Sequence, residues 1–154
     1  MSVDVALPEI DKFLAGLVGP LGEPDTMAVE LGAVRKMARA VEDTDPIRYD
    51  AGAAIARGYR GVVAPWPFLW LFYFNGAEHG LSFPFGKATV HGEDEYEFHE
   101  PMIVGDEITM RTEITGARAR QGRSGLLGIV VEERRFTNQL GQLCAVLRTT
   151  LIRR

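Results

Sequence analysis

The stretch Val41-Glu42-Asp43-Thr44-Asp45-Pro46-Ile47-Arg48-Tyr49-Asp50 gathers carboxylates around one guanidinium. A carboxylate can supply half of an acid–base pair. Arg48 cannot supply the other half, because a guanidinium keeps its proton at physiological pH and has no acceptor lone pair. Two roles remain for Arg48: gripping a carboxylate or phosphate of a ligand, or locking Asp43 or Asp50 in a salt bridge. Glu42 and Asp45 beside it favour the internal pair. Asp43 reads as a residue that caps the turn before Pro46, since a lone carboxylate without a paired base would need a rebuilt site to activate water.

Other chemistry-bearing side chains favour structural readings. Alternation along a strand would put His91, Glu93, Glu95, Glu97 and His99 on one face. A metal could engage few of them, because residues two apart on a strand lie about 6.6 Å apart. Arg111, Arg134, Arg135 and Arg148 on the following runs make cross-strand ion pairs, or a dimer surface, the simpler explanation, and no metal site is expected. Cys144 is the single cysteine and lies in the apolar run Leu143 to Leu147, so it reads as a buried, inert thiol. Arg118, Arg120 and Arg123 with Gly122 and Gly125 read as a basic hairpin tip, solvated or contacting a phosphate or a partner.

These residues need elements to position them. A helix is expected over Pro8–Leu17 with Ile10, Phe13, Leu14 and Leu17 on one face, ended by Gly19-Pro20-Leu21-Gly22. A short strand follows at Thr26–Leu31, then a helix over Ala33–Val41 that delivers the carboxylate-rich loop from its C-terminal end. Ala51–Arg57 reads as a short helix with Asp50 as N-cap and Gly58 as its stop. Pro67 to about Ala77 is the candidate central helix. Its aromatic residues on every side require that it be wrapped. From Thr89 the chain alternates over Thr89–His99, Asp106–Ala117, Leu126–Phe136 and Gln142–Arg153, which predicts successive antiparallel strands. Helices followed by strands give an α+β fold: a curved antiparallel sheet around one apolar helix, in a single domain spanning 1–154.

The 154 residues are 46% hydrophobic, enough for one sizeable core. The formal net charge of −4 argues against nucleic acid as a partner. The apolar run Phe68–Phe74 is far short of the ~20 residues that cross a bilayer as a helix, so no membrane span is expected. Asp4, Glu9 and Asp11 open the chain without a basic lead, so a cytoplasmic location is expected.

The Val41–Asp50 stretch resembles the Gly-Asp-x-Asn-Pro-Leu-His motif of the MaoC-like (R)-specific enoyl-CoA hydratases. In that family the Asp and His activate the water that adds across a conjugated double bond. Asp43 falls on the aspartate, Asp45 on the Asn, Pro46 on the Pro and Ile47 on the Leu, while Glu42 replaces the Gly and Arg48 the His. The segment Ala56 to Phe68 resembles the family's Ala-His-Gly-Met region, whose glycine N–H holds the thioester oxygen. Here Pro65 stands in the His slot with no N–H to give, and Trp66 stands in the Gly slot. His91-Gly92, His99-Glu100-Pro101-Met102-Ile103-Val104-Gly105-Asp106, Arg123-Ser124-Gly125 and Thr137-Asn138-Gln139 before Gly141 resemble the branch called FAS1-like dehydratase or MaoC N-terminal domain. The resemblance runs from about residue 33 to 154, leaving 1–32 as an N-terminal helix and first strand.

That resemblance implies a hot-dog fold, no cofactor, and an acyl-CoA or acyl-carrier thioester as ligand. Many domains of this branch lack the Asp/His pair and work beside a catalytic partner. The leading expectation is therefore the acyl-binding, non-catalytic half of an (R)-enoyl-CoA hydratase or 3-hydroxyacyl-thioester dehydratase, with the pair supplied by a hot-dog partner in a heterodimer or heterotetramer. On this reading Asp43 and Arg48 are remnants of the catalytic motif, and Arg48, Trp66, Phe83 and Phe85 are the candidate acyl-binding residues. The alternatives are a stand-alone hot-dog thioesterase using a carboxylate such as Glu78, and a non-enzymatic acyl-CoA-binding homodimer.

Overall fold

The computed structural model describes residues 7–73, 81–123 and 125–154. The chain opens with helix α1 (Leu7–Ala15) and strand β1 (Gly19–Ala28). Helix α2 (Leu31–Ala40), a one-turn 3-10 helix (Pro46–Arg48) and helix α3 (Ala51–Ala56) follow. A second 3-10 turn (Trp66–Leu69) runs directly into α4 (Trp70–Tyr73). Strands β2 (Thr89–Phe98), β3 (Glu107–Gly122), β4 (Gly125–Asn138) and β5 (Leu143–Arg153) complete the described elements. They form one antiparallel sheet in the order β1-β3-β4-β5-β2, so β1 and β2 are its edges.

The α+β reading holds, and the four long alternating runs are the four long strands. The first strand differs from its expected range: it starts at Gly19 and ends at Ala28 instead of running Thr26–Leu31. Gly19-Pro20-Leu21-Gly22 does end α1, yet the same residues begin the strand. A register shift between Leu21 and Asp25 accommodates them in pairing with β3. Arg118 and Arg120 likewise lie within β3, which continues to Gly122, and not in the hairpin turn.

Two apolar clusters fill the space under the sheet. Phe68, Leu69 and Phe72 from the 3-10 turn and α4 pack with Val29, Val34, Ile108, Met110, Phe136 and Leu147. The Phe72 and Phe136 rings meet edge to face at 5.4 Å. This is the described start of the central helix; the expected continuation to Ala77 lies outside the described residues, as do Glu78 and Ser124. A second cluster places Ile10 and Leu14 of α1 against Ile114 and Val130, on the apolar face that the helix spacing predicts.

A smaller cluster of Ile47, Ala54, Val63 and Ile103 anchors the Pro46–Arg48 turn to the rest. Val62–Ala64 runs beside Met102–Val104, with Ala64 N–H donating to Met102 O at 2.9 Å and Val104 N–H to Val62 O at 2.9 Å. Asp106, 1% exposed, accepts from Arg60 at 3.0 Å, from Gln139 at 3.0 Å and from the Ile103 amide at 3.0 Å. That carboxylate clips together three segments distant in sequence. No described helix is long and apolar enough to cross a membrane.

Candidate functional site

The carboxylate-rich loop begins where α2 ends. Glu42 has φ +56°, the left-handed conformation that helix ends usually assign to glycine. Glu42 N–H donates to Arg39 O at 3.2 Å and Asp43 N–H to Ala38 O at 2.8 Å, the paired bonds of a Schellman cap. The chain therefore keeps the backbone geometry of a Gly-Asp turn while carrying a side chain at the glycine position. Asp43 next accepts the Asp45 amide at 3.1 Å, and Asp45 accepts the Ile47 amide at 3.2 Å. These Asx bonds wind the Pro46–Arg48 turn. The Ile47 amide and the Arg57 guanidinium hold the Asp45 carboxyl below the usual carboxylate range. Asp50 caps α3 as expected, accepting the Ala53 amide at 2.6 Å.

The turn sets Arg48 back against Asp43, with Nε donating to Asp43 Oδ2 at 2.8 Å. The same guanidinium reaches across to the segment before Trp66: Nη1 donates to the carbonyls of Val63 at 3.3 Å and Ala64 at 3.2 Å. Tyr49 Oη donates to the Asp43 carbonyl at 2.7 Å, and Arg35 to the Tyr49 carbonyl at 2.7 Å. Asp43 is thus held by an ion that cannot take a proton, in a loop braced on both sides. Of the roles open to Arg48, the internal pair with Asp43 is formed.

Arg48 also lines a cleft of about 390 Å³, together with Ile47, Tyr59, Val63, Ala64, Pro65, Trp66, Leu69, Phe98, Met102 and Ala145. Its volume is at the small end of ligand pockets, and its walls combine apolar side chains with a substantial share of polar groups. Trp66 is 57% exposed and Phe98 54%. The Trp66 ring stands edge-on to Tyr96 at 5.6 Å and to Phe98 at 6.4 Å, while Tyr96 and Phe98 stack on each other at 6.0 Å. His99 and Glu100 also line the cleft. The sequence reading did not assign Tyr59, Tyr96 or Phe98 to a site; the signal available was the aromatic alternation Tyr96, Phe98 at the end of a strand.

The proposed acyl-binding residues divide between two places. Arg48 and Trp66 meet in the cleft. Phe83 and Phe85 do not line it; they pack at the second cluster, Phe83 edge-on to Phe13 of α1 at 6.3 Å. Phe85 covers the face of Gly128, where a Cβ would meet its ring at 2.5 Å. Their position in the loop before β2 sends them to the far end of the sheet.

The histidine and carboxylate series on β2 does not share one face throughout. Gly92 is an extra residue where the β2–β5 register shifts, so His91 turns to Asp94 at 3.0 Å instead of joining Glu93 and Glu95. Arg148 pairs across strands with Glu95 and Glu133, at 3.1 and 2.7 Å, and with Glu97. Those pairs are the expected explanation of the carboxylates. Among the described residues, no group of three or more His, Cys, Asp or Glu is placed to hold a metal ion. Cys144 is 2% exposed, and burial pushes its thiol up to about 11.

A five-stranded antiparallel sheet curled over an apolar helix, with the Asp43 loop and the Pro65–Trp66 turn meeting at a cleft, defines the hot-dog architecture of the MaoC-like hydratases and dehydratases. The family described as FAS1-like, dehydratase domain region matches residues 17–146, and the chain belongs to it. A UPF0336 protein of Parafrankia sp. (strain EAN1pec) is 31% identical over 128 residues, covering 79% of this chain and 80% of that protein. Among solved structures, the C-terminally truncated HadBC (3R-hydroxyacyl-ACP dehydratase) complex of Mycobacterium tuberculosis aligns with TM-score 0.71 and 27% identity, over 88% of this chain and 95% of that one. The ChsH1–ChsH2 complex of Mycobacterium tuberculosis aligns with TM-score 0.78 at 18% identity, over 96% and 92%, a likeness of fold.

Proposed function

We propose that this chain is the acyl-binding, non-catalytic half of a heteromeric (R)-enoyl-thioester hydratase or 3-hydroxyacyl-thioester dehydratase. The observation that carries this reading is the Arg48–Asp43 pair at 2.8 Å, braced on the Val63 and Ala64 carbonyls. Addition of water to the double bond needs a group that takes the water's proton and another that protonates the α-carbon. Arg48 occupies the position of the first and can do neither, and Asp43 is engaged by it. The oxyanion side is altered too: Pro65 has no N–H, and the Trp66 indole fills part of the approach.

What remains is a binding surface. The apolar walls suit an acyl chain, and the Arg48 edge at the cleft suits the thioester carbonyl or a phosphate. The missing acid–base pair would come from a second hot-dog subunit. The β2 edge, unpaired among the described residues and next to exposed Trp66 and Phe98, is a suitable place for it, because such an edge gains by adding a strand and the aromatics gain by being covered. The HadBC and ChsH1–ChsH2 complexes in the comparisons lend support, being pairs of unlike chains.

Titration of the isolated chain with a short trans-2-enoyl-CoA, followed by tryptophan fluorescence and by enoyl absorbance, tests this. Saturable quenching of the tryptophan fluorescence, reduced in Trp66→Phe, with no loss of the enoyl band is expected. Rapid hydration by the chain alone, abolished by Asp43→Ala, would overturn the reading.

A further inference from the structure

The core-facing surface of the sheet is interrupted by a polar band that crosses the strands. Arg134 ion-pairs with Glu132, each about 4% exposed, and its Nη1 donates to Thr149 Oγ1 at 3.3 Å. Thr149 Oγ1 in turn donates to Asp94 Oδ1 at 2.8 Å. The other Asp94 oxygen lies 3.0 Å from His91 Nε2 and accepts from Tyr96 Oη at 3.5 Å. Trp70 Nε1 donates to Tyr96 Oη at 2.9 Å. Thr112, opposite Arg134 in register, is also buried, and its Oγ1 has no hydrogen-bond partner among the described residues.

Register places this band relative to the cleft. Phe98 and Ala145, which line the cleft, are paired on β2 and β5. The next core-facing rung is Tyr96 with Leu147, continued by Arg134 and Thr112 on β4 and β3. The rung after it is Asp94 with Thr149 and Glu132. Phe72 and Phe136 lie on the cleft side, Leu147 and Ile114 are apolar members of the two polar rungs themselves, and Ile10 and Val130 lie beyond. An alkyl chain that entered from the cleft and continued along the sheet would have to displace the Trp70–Tyr96 pair and then strip partners from buried charges, for which methylenes give nothing in return.

Resting on the reading of the cleft as an acyl site, we propose that this band sets the length of the acyl group. The chain accepts short and medium acyl thioesters and rejects long ones, with Tyr96 as the specificity-determining residue held in place by Trp70. One rung is about 6.6 Å and two about 13 Å, and an extended alkyl chain advances roughly 1.3 Å per bond. About five carbons therefore span the distance from the Phe98–Ala145 rung to Tyr96, in addition to those held within the cleft, and about ten would reach the Asp94–Glu132 rung.

The test is the affinity of the full chain for butanoyl-, octanoyl- and tetradecanoyl-CoA, measured by tryptophan fluorescence and by calorimetry. In an open apolar groove each added methylene tightens binding. Here octanoyl-CoA should bind more tightly than butanoyl-CoA, and tetradecanoyl-CoA about tenfold or more weaker than octanoyl-CoA. Tyr96→Ala should reduce that gap, while Tyr96→Phe, which keeps the ring but removes the acceptor of the Trp70 bond, should reduce it less than Tyr96→Ala does. Tetradecanoyl-CoA binding as tightly as octanoyl-CoA would overturn the length limit and leave the acyl-site reading standing. An unchanged gap in Tyr96→Ala would overturn the assignment to Tyr96. Failure of all three thioesters to bind would overturn the acyl-site reading and the length limit together.

Discussion

Replacing Arg48 with Ala tests whether the former catalytic loop is now a structural brace. The side chain is 18% exposed and its partner Asp43 26%. The substitution removes one charge-assisted bond to Asp43 and two bonds from a charged donor to the Val63 and Ala64 carbonyls. Hydrogen bonds to charged groups contribute about 1.5–3 kcal/mol each when well buried, whereas exposed ion pairs contribute about 0–1 kcal/mol. The intermediate burial here, with two long carbonyl contacts, gives a loss of about 2–3 kcal/mol. For a chain of this size that corresponds to a fall in Tm of about 4–12 °C. Urea unfolding of the single variants Arg48→Ala and Asp43→Ala and of the double variant gives the coupling directly, expected at about 1–2 kcal/mol. Loss below about 0.5 kcal/mol for Arg48→Ala, or no coupling to Asp43, would refute the brace.

Glu42→Gly should stabilise the protein: relief of the left-handed conformation is worth about 1–2 kcal/mol, less about 0.4–1 kcal/mol of added chain entropy in the unfolded state, and a urea midpoint no higher than wild type would contradict this. Acid should destabilise the fold through Asp45, Glu97 and Glu133. Hydrogen bonds from the Ile47 amide and Arg57 depress Asp45, and Arg148 depresses Glu97; for Glu133 burial opposes ionisation, but Arg148 and Arg135 outweigh it. Their folded-state values lie below the unfolded ones of about 4, so their contribution is present above about pH 5 and is lost as pH falls through the lower folded values; a stability curve flat from pH 5 to 2 would count against these pairs. Cys144, with its thiol pushed up to about 11, should react with a thiol-specific disulfide reagent at pH 8 far more slowly in the folded than in the urea-unfolded chain, and equal rates would place it at the surface.

Much of the architecture was legible because its signals are local. Strict alternation after Thr89 gives long strands, the Ile10, Phe13, Leu14, Leu17 spacing gives an amphipathic helix, and Asp50 before Ala51 gives a cap that forms as read. The first strand was misjudged because Gly19 to Pro24 carries turn residues that the structure absorbs in a bulged edge, where missing donors and irregular pairing are tolerated. The family marks proved informative about folding: Asp106 clips Arg60, Gln139 and the Ile103 amide, and Asn138 accepts the Leu140 and Gln142 amides in the turn before β5.

The site was legible only in part. That Arg48 cannot act as a base follows from its chemistry, whereas the sequence leaves Asp43 and Asp50 both open as its partner, and the turn wound by Asp43 and Asp45 selects Asp43. Two features depend on tertiary register and left no local trace. A bulge at Gly92 removes His91 from the face it was expected to share. The loop before β2 carries Phe83 and Phe85 to α1, while Tyr96 and Phe98 on the edge strand come to Trp66.

The most direct test of the account is the hydration of a trans-2-enoyl-CoA by the purified chain alone and then mixed with a hot-dog subunit from the same genome that carries an intact Asp/His pair. No turnover is expected from the chain alone, and activity well above that of the partner by itself is expected in the mixture. Turnover by the chain alone, lost on Asp43→Ala, would mean that Asp43 and Arg48 form a working site and would contradict the central claim.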